Sequence, residues 1–148
     1  MFATIYAQVG FATLVGVFLL SLWKGETPER AGAGLNLLAG VLAMAADSAL
    51  SSDLRPSIDL AIDGILATSF LLLAVRYASL WLGAAMLLQA AQFSLHAYYL
   101  LSDQIHDLRY AVFNNLITTG VNIAILAGIL LAWRRRVRIR REEKDEAA

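Results

Sequence analysis

The chain has 148 residues, of which 59% are hydrophobic and 16% are charged, and its formal net charge is zero. Soluble domains contain roughly 45–50% apolar and about 25% charged residues, so this composition predicts an integral membrane protein. The absence of cysteine excludes disulfides, thiolate nucleophiles and cysteine-ligated metals. Arginine far outnumbers lysine and alanine is abundant, a bias typical of a bacterial protein from a GC-rich genome.

Five hydrophobic segments are each long enough to cross a bilayer as an α-helix. A span needs about 20 apolar residues, because the hydrocarbon core is about 30 Å thick and a helix rises about 1.5 Å per residue. The segments are 2–23, 31–50, 58–75, 78–101 and 110–133. The predicted fold class is therefore all-α, with a five-helix transmembrane domain at 1–133 and a basic, then acidic, tail at 134–148. The first segment lacks a basic n-region and a cleavage site, which favours a span over a signal peptide.

The connections between the predicted helices are short and polar, which favours antiparallel neighbours. Thr27 and Pro28 predict the start of the second helix, as N-cap and first helical residue. The junction at 76–79 is the tightest, and 51–57 and 102–109 are the other short connections.

Basic residues predict the orientation of the bundle. With the C-terminus in the cytoplasm, Lys24, Arg30, Arg76 and the basic tail lie inside, while only Arg55 and Arg109 lie outside. The positive-inside rule favours this arrangement, and five spans then put the N-terminus outside. The predicted aromatic belts are Trp23, Tyr77, Trp81 and Trp133 at the inner boundary and Tyr6, Tyr98, Tyr99 and Tyr110 at the outer one. The predicted location is the inner membrane of a bacterium.

Two aspartates one turn apart open the third helix. Asp59 is interpreted as a first-turn acid that the positive end of the helix dipole favours. Asp63 lies one turn deeper, where a carboxylate is costly and often functional. It is the leading candidate to bind a proton, a cation or an amine, although a solvated structural acid is the alternative.

Polar side chains from all five helices are predicted to share one layer, roughly 6–9 Å below the outer surface. This layer predicts a vestibule that opens to the outside and closes towards the cytoplasm. Its candidate ligand-binding residues are Asp63, Asp47, His96, Gln92 and Asn115. Gln8 is expected at the same level, Gln89 and Asn122 near mid-membrane, and Asn36 below them. The alternative is that these groups only form hydrogen bonds between helices, or that Asp47 simply reaches water.

A stripe of small residues follows the fifth helix at every fourth position. It consists of Gly120, Ala124, Gly128 and Ala132. Such stripes allow close helix packing, so the partner is predicted to be the first helix, through Ala12 and Gly16, or another protein chain.

The basic tail directly follows Trp133, so membrane anchoring is favoured over nucleic-acid binding. Arg134, Arg135, Arg136 and Arg138 are predicted to contact anionic lipid headgroups. The acidic residues after them are expected to pair with these arginines or to remain without structure.

No pattern in the sequence supports catalysis, a cofactor or a metal centre. Asp103, His106 and Asp107 have helical spacing, but three such residues in a connection are common by chance. Two functional hypotheses remain. The first is a transporter- or channel-like protein that uses the acidic vestibule, and the second is an accessory subunit that docks onto a membrane complex or onto a second copy through the small-residue stripe.

Overall fold

A computed structural model describes residues 2–51, 54–102 and 107–146, with side chains from residue 8 onward. These ranges form five helices and contain no strand, so the all-α prediction is confirmed. The helices are α1 (Phe2–Lys24), α2 (Thr27–Ala49), α3 (Arg55–Tyr77), α4 (Leu80–Leu101) and α5 (Leu108–Glu146).

Three helices are long and apolar enough to cross a membrane, namely α2, α3 and α5. In α1 the apolar stretch with described side chains is shorter, Gln8–Lys24. Helix α4 has 22 residues and carries Gln89, Gln92 and His96 within its apolar sequence. A helix of 22 or 23 residues is about 33–35 Å long, which is close to the thickness of a bilayer core.

The five helices form a closed ring in chain order. Each helix packs against the next, α5 closes the ring onto α1, and α2 also contacts α5. Because the chain reverses at each short connection, one end of the bundle gathers the end of α1, the start of α2, the end of α3, the start of α4 and the Trp133–Arg136 part of α5. We call this the arginine end, and we call the opposite end the distal end.

Trp81 fills the bundle interior near the arginine end. Its indole ring lies between two glycines, because a Cβ at Gly32 would come within 3.0 Å of the ring and one at Gly128 within 2.5 Å. Fully buried Phe70 and Leu82 belong to the same apolar core. Trp81 is therefore a core residue, and its predicted place in an aromatic belt is corrected. Two glycines on neighbouring helices leave room for the Trp81 ring inside the bundle, whereas a residue of an aromatic belt would be exposed.

Large aliphatic side chains are exposed on every helix of the bundle. One example per helix is Leu19, Leu42, Leu72, Leu87 and Ile123. The surface helices of a soluble bundle would instead show a polar outer face. The outside of this ring is therefore suited to an apolar surrounding.

The start of α2 and the end of α5 differ from the sequence prediction. The N-cap of α2 is Glu26, and its backbone N–H donates a hydrogen bond to Glu29 Oε2 at 2.9 Å, which makes a capping box. Helix α5 continues through the predicted tail to Glu146. Arginine and glutamate are good helix formers, and Arg138 and Glu142 approach within 3.8 Å one turn apart.

The small-residue stripe of α5 packs against α4 of the same chain. A Cβ at Gly120 would lie 3.1 Å from Leu88, and Gly128 meets Trp81 as described above. Ala124 and Ala132 are buried. The stripe therefore accommodates bulky side chains of α4. The predicted packing against Ala12 and Gly16 of the first helix is therefore corrected, because both residues are exposed and a Cβ built at Gly16 meets no heavy atom of the described residues within 4 Å.

Candidate functional site

Asp63 of α3 and His96 of α4 meet inside the ring. Asp63 Oδ2 contacts His96 Nδ1, and the two side chains are only 9% and 10% exposed. Gln89, two turns from His96 on the same helix, donates a hydrogen bond from Nε2 to Asp63 Oδ1 at 2.8 Å. The two oxygens of one buried carboxylate thus meet two different side chains of α4.

The contact between Asp63 and His96 requires a proton. A carboxylate oxygen and an unprotonated ring nitrogen are both acceptors, so one of them must carry a hydrogen when they touch. His96 Nε2 is also buried, and it has no hydrogen-bond partner among the described residues. If the first proton lies on Nδ1, Nε2 can accept a second one. Both members of this buried contact are thus groups that can hold a proton.

A cavity of about 180 Å³ lies next to Asp63. Asn36, Gln89, Gln92 and Thr118 line it together with Asp63, so four helices supply polar groups to it. A cavity of this volume has room for several water molecules with hydrogen-bonding partners. Asp63 lines this cavity and also contacts His96, which is not among the described lining residues.

Two further amide pairs connect helices around the cavity. Asn36 Nδ2 donates to Asn122 Oδ1 at 3.1 Å and so joins α2 to α5. Gln92 Nε2 donates to Asn114 Oδ1 at 3.0 Å and joins α4 to α5. Asn114, rather than the predicted Asn115, is the inward residue. Its spacing of four from Thr118, which lines the cavity, is the signal in the sequence that would have found it.

Aromatic rings separate His96 from the distal end. The Tyr110 ring lies 5.5 Å from the His96 ring, centroid to centroid, and the Tyr99 ring lies 5.0 Å from Tyr110. Asp107 Oδ1 accepts hydrogen bonds from the backbone N–H of Tyr110 at 2.9 Å and from Tyr99 Oη at 2.8 Å. Because these bonds favour the charged form, the pKa of the Asp107 carboxyl is lowered. Sequence reasoning missed this link between α4 and α5.

The structure does not bring every predicted residue of the polar layer to Asp63. Asp47 is 71% exposed and forms an ion pair with Arg55, with a distance of 2.6 Å between Oδ1 and Nη2. Asn115 and Gln8 are exposed. Successive residues on a helix point about 100° apart, so an error of one residue in the inward face moves a side chain to the outside. Asp59 is half-buried one turn from Asp63, towards the distal end.

A second cavity, of about 450 Å³, lies at the arginine end. Its lining includes Glu26, Glu29 and Arg135 together with Trp81. Glu29 is 4% exposed, and it is not among the residues predicted from the sequence. Its capping-box spacing from Glu26 would have identified it as a helix-start residue.

The tail arginines have different surroundings in the structure. Arg135 forms a hydrogen-bonded ion pair with Glu26 at 2.6 Å, and Arg136 Nη2 donates to the Lys24 carbonyl at 2.5 Å. Arg138 approaches Glu142 and Arg134 is exposed. The predicted positions Asp103 and His106 and the Tyr6 side chain lie outside the described residues.

Comparison with protein-family models, with curated proteins and with solved structures finds no match to this chain.

Proposed function

We propose that this protein is a small multi-pass membrane protein that carries protons, alone or with a small cation, through the Asp63–His96 pair. The observation that carries the proposal is the contact between two titratable side chains, each about nine-tenths buried. Ionisable groups inside a membrane bundle are expensive and commonly mark ion or proton pathways. Gln89 and the adjacent cavity give Asp63 polar surroundings in which its protonation can change.

All five helices cross the membrane in this proposal. The aliphatic side chains exposed on every helix, α1 and α4 included, support it. The arginine end faces the cytoplasm of a bacterium and the distal end faces outward, because Lys24, Arg30, Arg76 and the tail lie at the former. In this orientation the Asp63–His96 pair lies in the outer half of the bundle.

The volume of the cavity next to Asp63 limits what can bind there. Small-molecule pockets usually enclose about 300–1,000 Å³, whereas this cavity has about 180 Å³. It suits water, a proton or a small cation, and a bulky amine would not fit. The amine ligand considered from the sequence is therefore not part of the proposal.

An apolar layer separates the two cavities. Along α3 it begins at Leu66, next to Asp63, and continues with Phe70. Leu82 of α4 and Ile125 of α5 are fully buried in the same cluster, and Trp81 lines the cavity at the arginine end. We propose that this layer keeps water and ions from crossing continuously, so that protons pass only when the helices around Trp81 rearrange.

The accessory-subunit hypothesis depended on a free small-residue stripe on α5. Leu88 and Trp81 occupy this stripe within the chain. Because these side chains cover the stripe, we do not propose it as a docking site.

Proton flux into proteoliposomes tests the proposal. The protein is reconstituted with a pH-sensitive dye inside, and a potassium diffusion potential drives protons inward. Asp63→Asn keeps the size of the side chain and removes its titration, so we expect flux to fall at least tenfold. The matched control is Asp47→Asn, because Asp47 is an exposed carboxylate paired with Arg55, and it should keep wild-type flux.

Replacing sodium by choline in the same assay separates proton transport from proton–cation coupling. A wild-type protein that gives no more flux than empty liposomes contradicts the proposal. Equal flux from wild type and from Asp63→Asn at matched protein levels contradicts the role of the pair.

A further inference from the structure

A basic cleft lies where α1 ends and α5 continues beyond it. It has a volume of about 230 Å³. Its lining consists of Trp23, Lys24, Trp133, Arg136, Val137 and Arg140. The α5 residues among them are spaced by three or four and therefore share one helix face. Among the described residues, three cations and no acid line the cleft.

The two tryptophans hold the lysine in the cleft. Lys24 Nζ lies 4.1 Å from the Trp23 ring centroid and 4.8 Å from that of Trp133. Such cation–π contacts are attractive, and they position the ammonium group beside the two indole rings. Both rings are largely exposed, at 72% for Trp23 and 42% for Trp133. The cleft therefore combines an apolar surface with fixed positive charge.

Only some of the tail cations contribute to this cleft. Arg134, Arg135 and Arg138 are not among the described residues that line it, and Arg135 is paired with Glu26 at 2.6 Å. Arg136 is bound to the Lys24 carbonyl through Nη2, and its nearest carboxylate oxygen, of Glu26, is 3.8 Å from Nε. Its Nε is buried without a hydrogen-bond partner among the described residues. Because Nε is buried, an anion in the cleft would be met by the remaining N–H groups of the Arg136 guanidinium, whose side chain is 37% exposed.

We infer that this cleft binds the phosphate of an anionic phospholipid, with the acyl chains lying along Trp23 and Trp133. Arginine recognises phosphate by paired N–H donors, and a lysine ammonium adds a point charge. Tryptophan is favoured at the depth of the headgroups, where its ring meets both apolar and polar surroundings. The sequence predicted headgroup contacts for the tail arginines from Arg134 to Arg138. The proposed site instead consists of Arg136 together with Lys24 and Arg140, which the sequence did not predict. This inference needs the chain to lie in a membrane, but it does not rest on the proton pathway.

The site should prefer a lipid with net negative charge over a zwitterionic one. Both kinds carry a phosphate, but the ammonium group of a zwitterionic headgroup would be repelled by three nearby cations. Phosphatidylglycerol is the anionic probe and phosphatidylcholine is the zwitterionic one.

Quenching of tryptophan fluorescence by brominated lipids tests this preference directly. The protein has three tryptophans, and Trp81 is only 6% exposed, so quenching reports mainly on Trp23 and Trp133. The purified full chain is reconstituted in mixtures of brominated phosphatidylglycerol with phosphatidylcholine, and then with the bromine on the other lipid. We expect the relative binding constant to favour phosphatidylglycerol. Arg140→Gln and Lys24→Gln should each lower that constant about fivefold, which corresponds to about 1 kcal/mol for one basic residue at an anionic surface.

Arg141→Gln is the matched control, because it removes the same charge from the adjacent position, which does not line the cleft. We expect it to change the constant less than twofold. If the wild-type binding constant for phosphatidylglycerol relative to phosphatidylcholine is within twofold of one, the protein has no preference and the inference is wrong. The inference is also wrong if Arg141→Gln lowers this constant as much as Arg140→Gln does. Inorganic phosphate added at constant ionic strength should not reduce the preference. If it does, the site binds a soluble phosphate, and the lipid assignment is wrong.

Discussion

The two ends of the bundle use charged and polar residues in opposite ways. Towards the distal end, Asp63, His96 and Gln89 point into the ring and bind one another across α3 and α4. At the arginine end, Trp81 and its two glycines fill the interior, and most of the charge lies outside. Whether polar side chains point into the ring or out of it, rather than how many there are, therefore distinguishes a candidate proton pathway from a membrane-surface anchor.

Two aspartates make the same contrast within one short stretch of chain. Asp63 is buried against a histidine, whereas Asp47 is exposed and paired with an arginine. An exposed ion pair contributes about 0–1 kcal/mol, whereas removing one member of a buried pair costs about 3–5 kcal/mol. The first two predictions test the interior of each end, and the next two test smaller contacts.

Removing one member of the Asp63–His96 pair should have the largest effect on stability. His96→Leu leaves the carboxylate with Gln89 alone, and we expect it to destabilise the bundle by about 3–5 kcal/mol. The double variant Asp63→Leu/His96→Leu should recover most of that loss, because no unpaired charge remains. Unfolding in mixed detergent measures both. If the double variant is stable and also retains proton flux, the pair has only a structural role.

Gly128→Ala tests the tight packing at the arginine end. The new Cβ would lie 2.5 Å from the Trp81 ring, and the ring cannot move away freely because Gly32 lies on its other side. Overpacking of this kind costs about 1–3 kcal/mol. The measurement is the free energy of unfolding, with Trp81 fluorescence as a local readout. Gly16→Ala, which meets no heavy atom of the described residues within 4 Å, should be neutral or slightly stabilising, because alanine is the better helix former. Equal destabilisation at the two glycines would contradict the packing.

The hydrogen bond between Asn36 and Asn122 should contribute less. Interhelical hydrogen bonds in membrane proteins average about 0.6 kcal/mol and reach about 1.7 kcal/mol, so Asn36→Ala should fall in this range. Exposed Asn115 gives the comparison, and Asn115→Ala should change the free energy of unfolding by less than about 0.5 kcal/mol. If Asn115→Ala has the larger effect, Asn115 points into the bundle, as predicted from the sequence.

The start of α5 should depend weakly on pH through Asp107. Its folded-state pKa is lowered by the hydrogen bonds from the Tyr110 N–H and the Tyr99 hydroxyl. This stabilisation is therefore complete above the unfolded pKa and is lost as the pH falls through the folded value. The Tyr110 amide shift, followed by NMR, should titrate with a midpoint below the ordinary value of 3.8. A midpoint at or above that value contradicts these two hydrogen bonds, and Asp107→Ala should abolish the transition.

Much of the fold follows from hydrophobic length alone. Runs of about 20 apolar residues separated by short polar connections predict five helices, and the structure has five in the described residues. Asp63 and His96 were found because each interrupts such a run with an ionisable group. The continuation of α5 was missed, because charge patterning was interpreted as a tail although its residues favour a helix.

The remaining errors concern rotation about helix axes. Asn114 and Asn115 are neighbours in sequence, and hydropathy does not distinguish which one points inward. Trp81 fits an aromatic belt by position, and only the space left by Gly32 and Gly128 on other helices places it inside. Which face of a helix points inward depends on contacts between helices, and the hydropathy of one helix does not determine it.

The change of protonation of Asp63 is the most direct test of the central claim. Infrared difference spectra of the reconstituted protein are recorded before and after an inward proton gradient is imposed, for wild type, Asp63→Asn and Asp47→Asn. We predict that wild type and Asp47→Asn share a carboxyl C=O component of a buried group, and that Asp63→Asn lacks it. If the spectra of wild type and Asp63→Asn show the same buried carboxyl component, Asp63 does not exchange a proton and the proposed pathway is wrong.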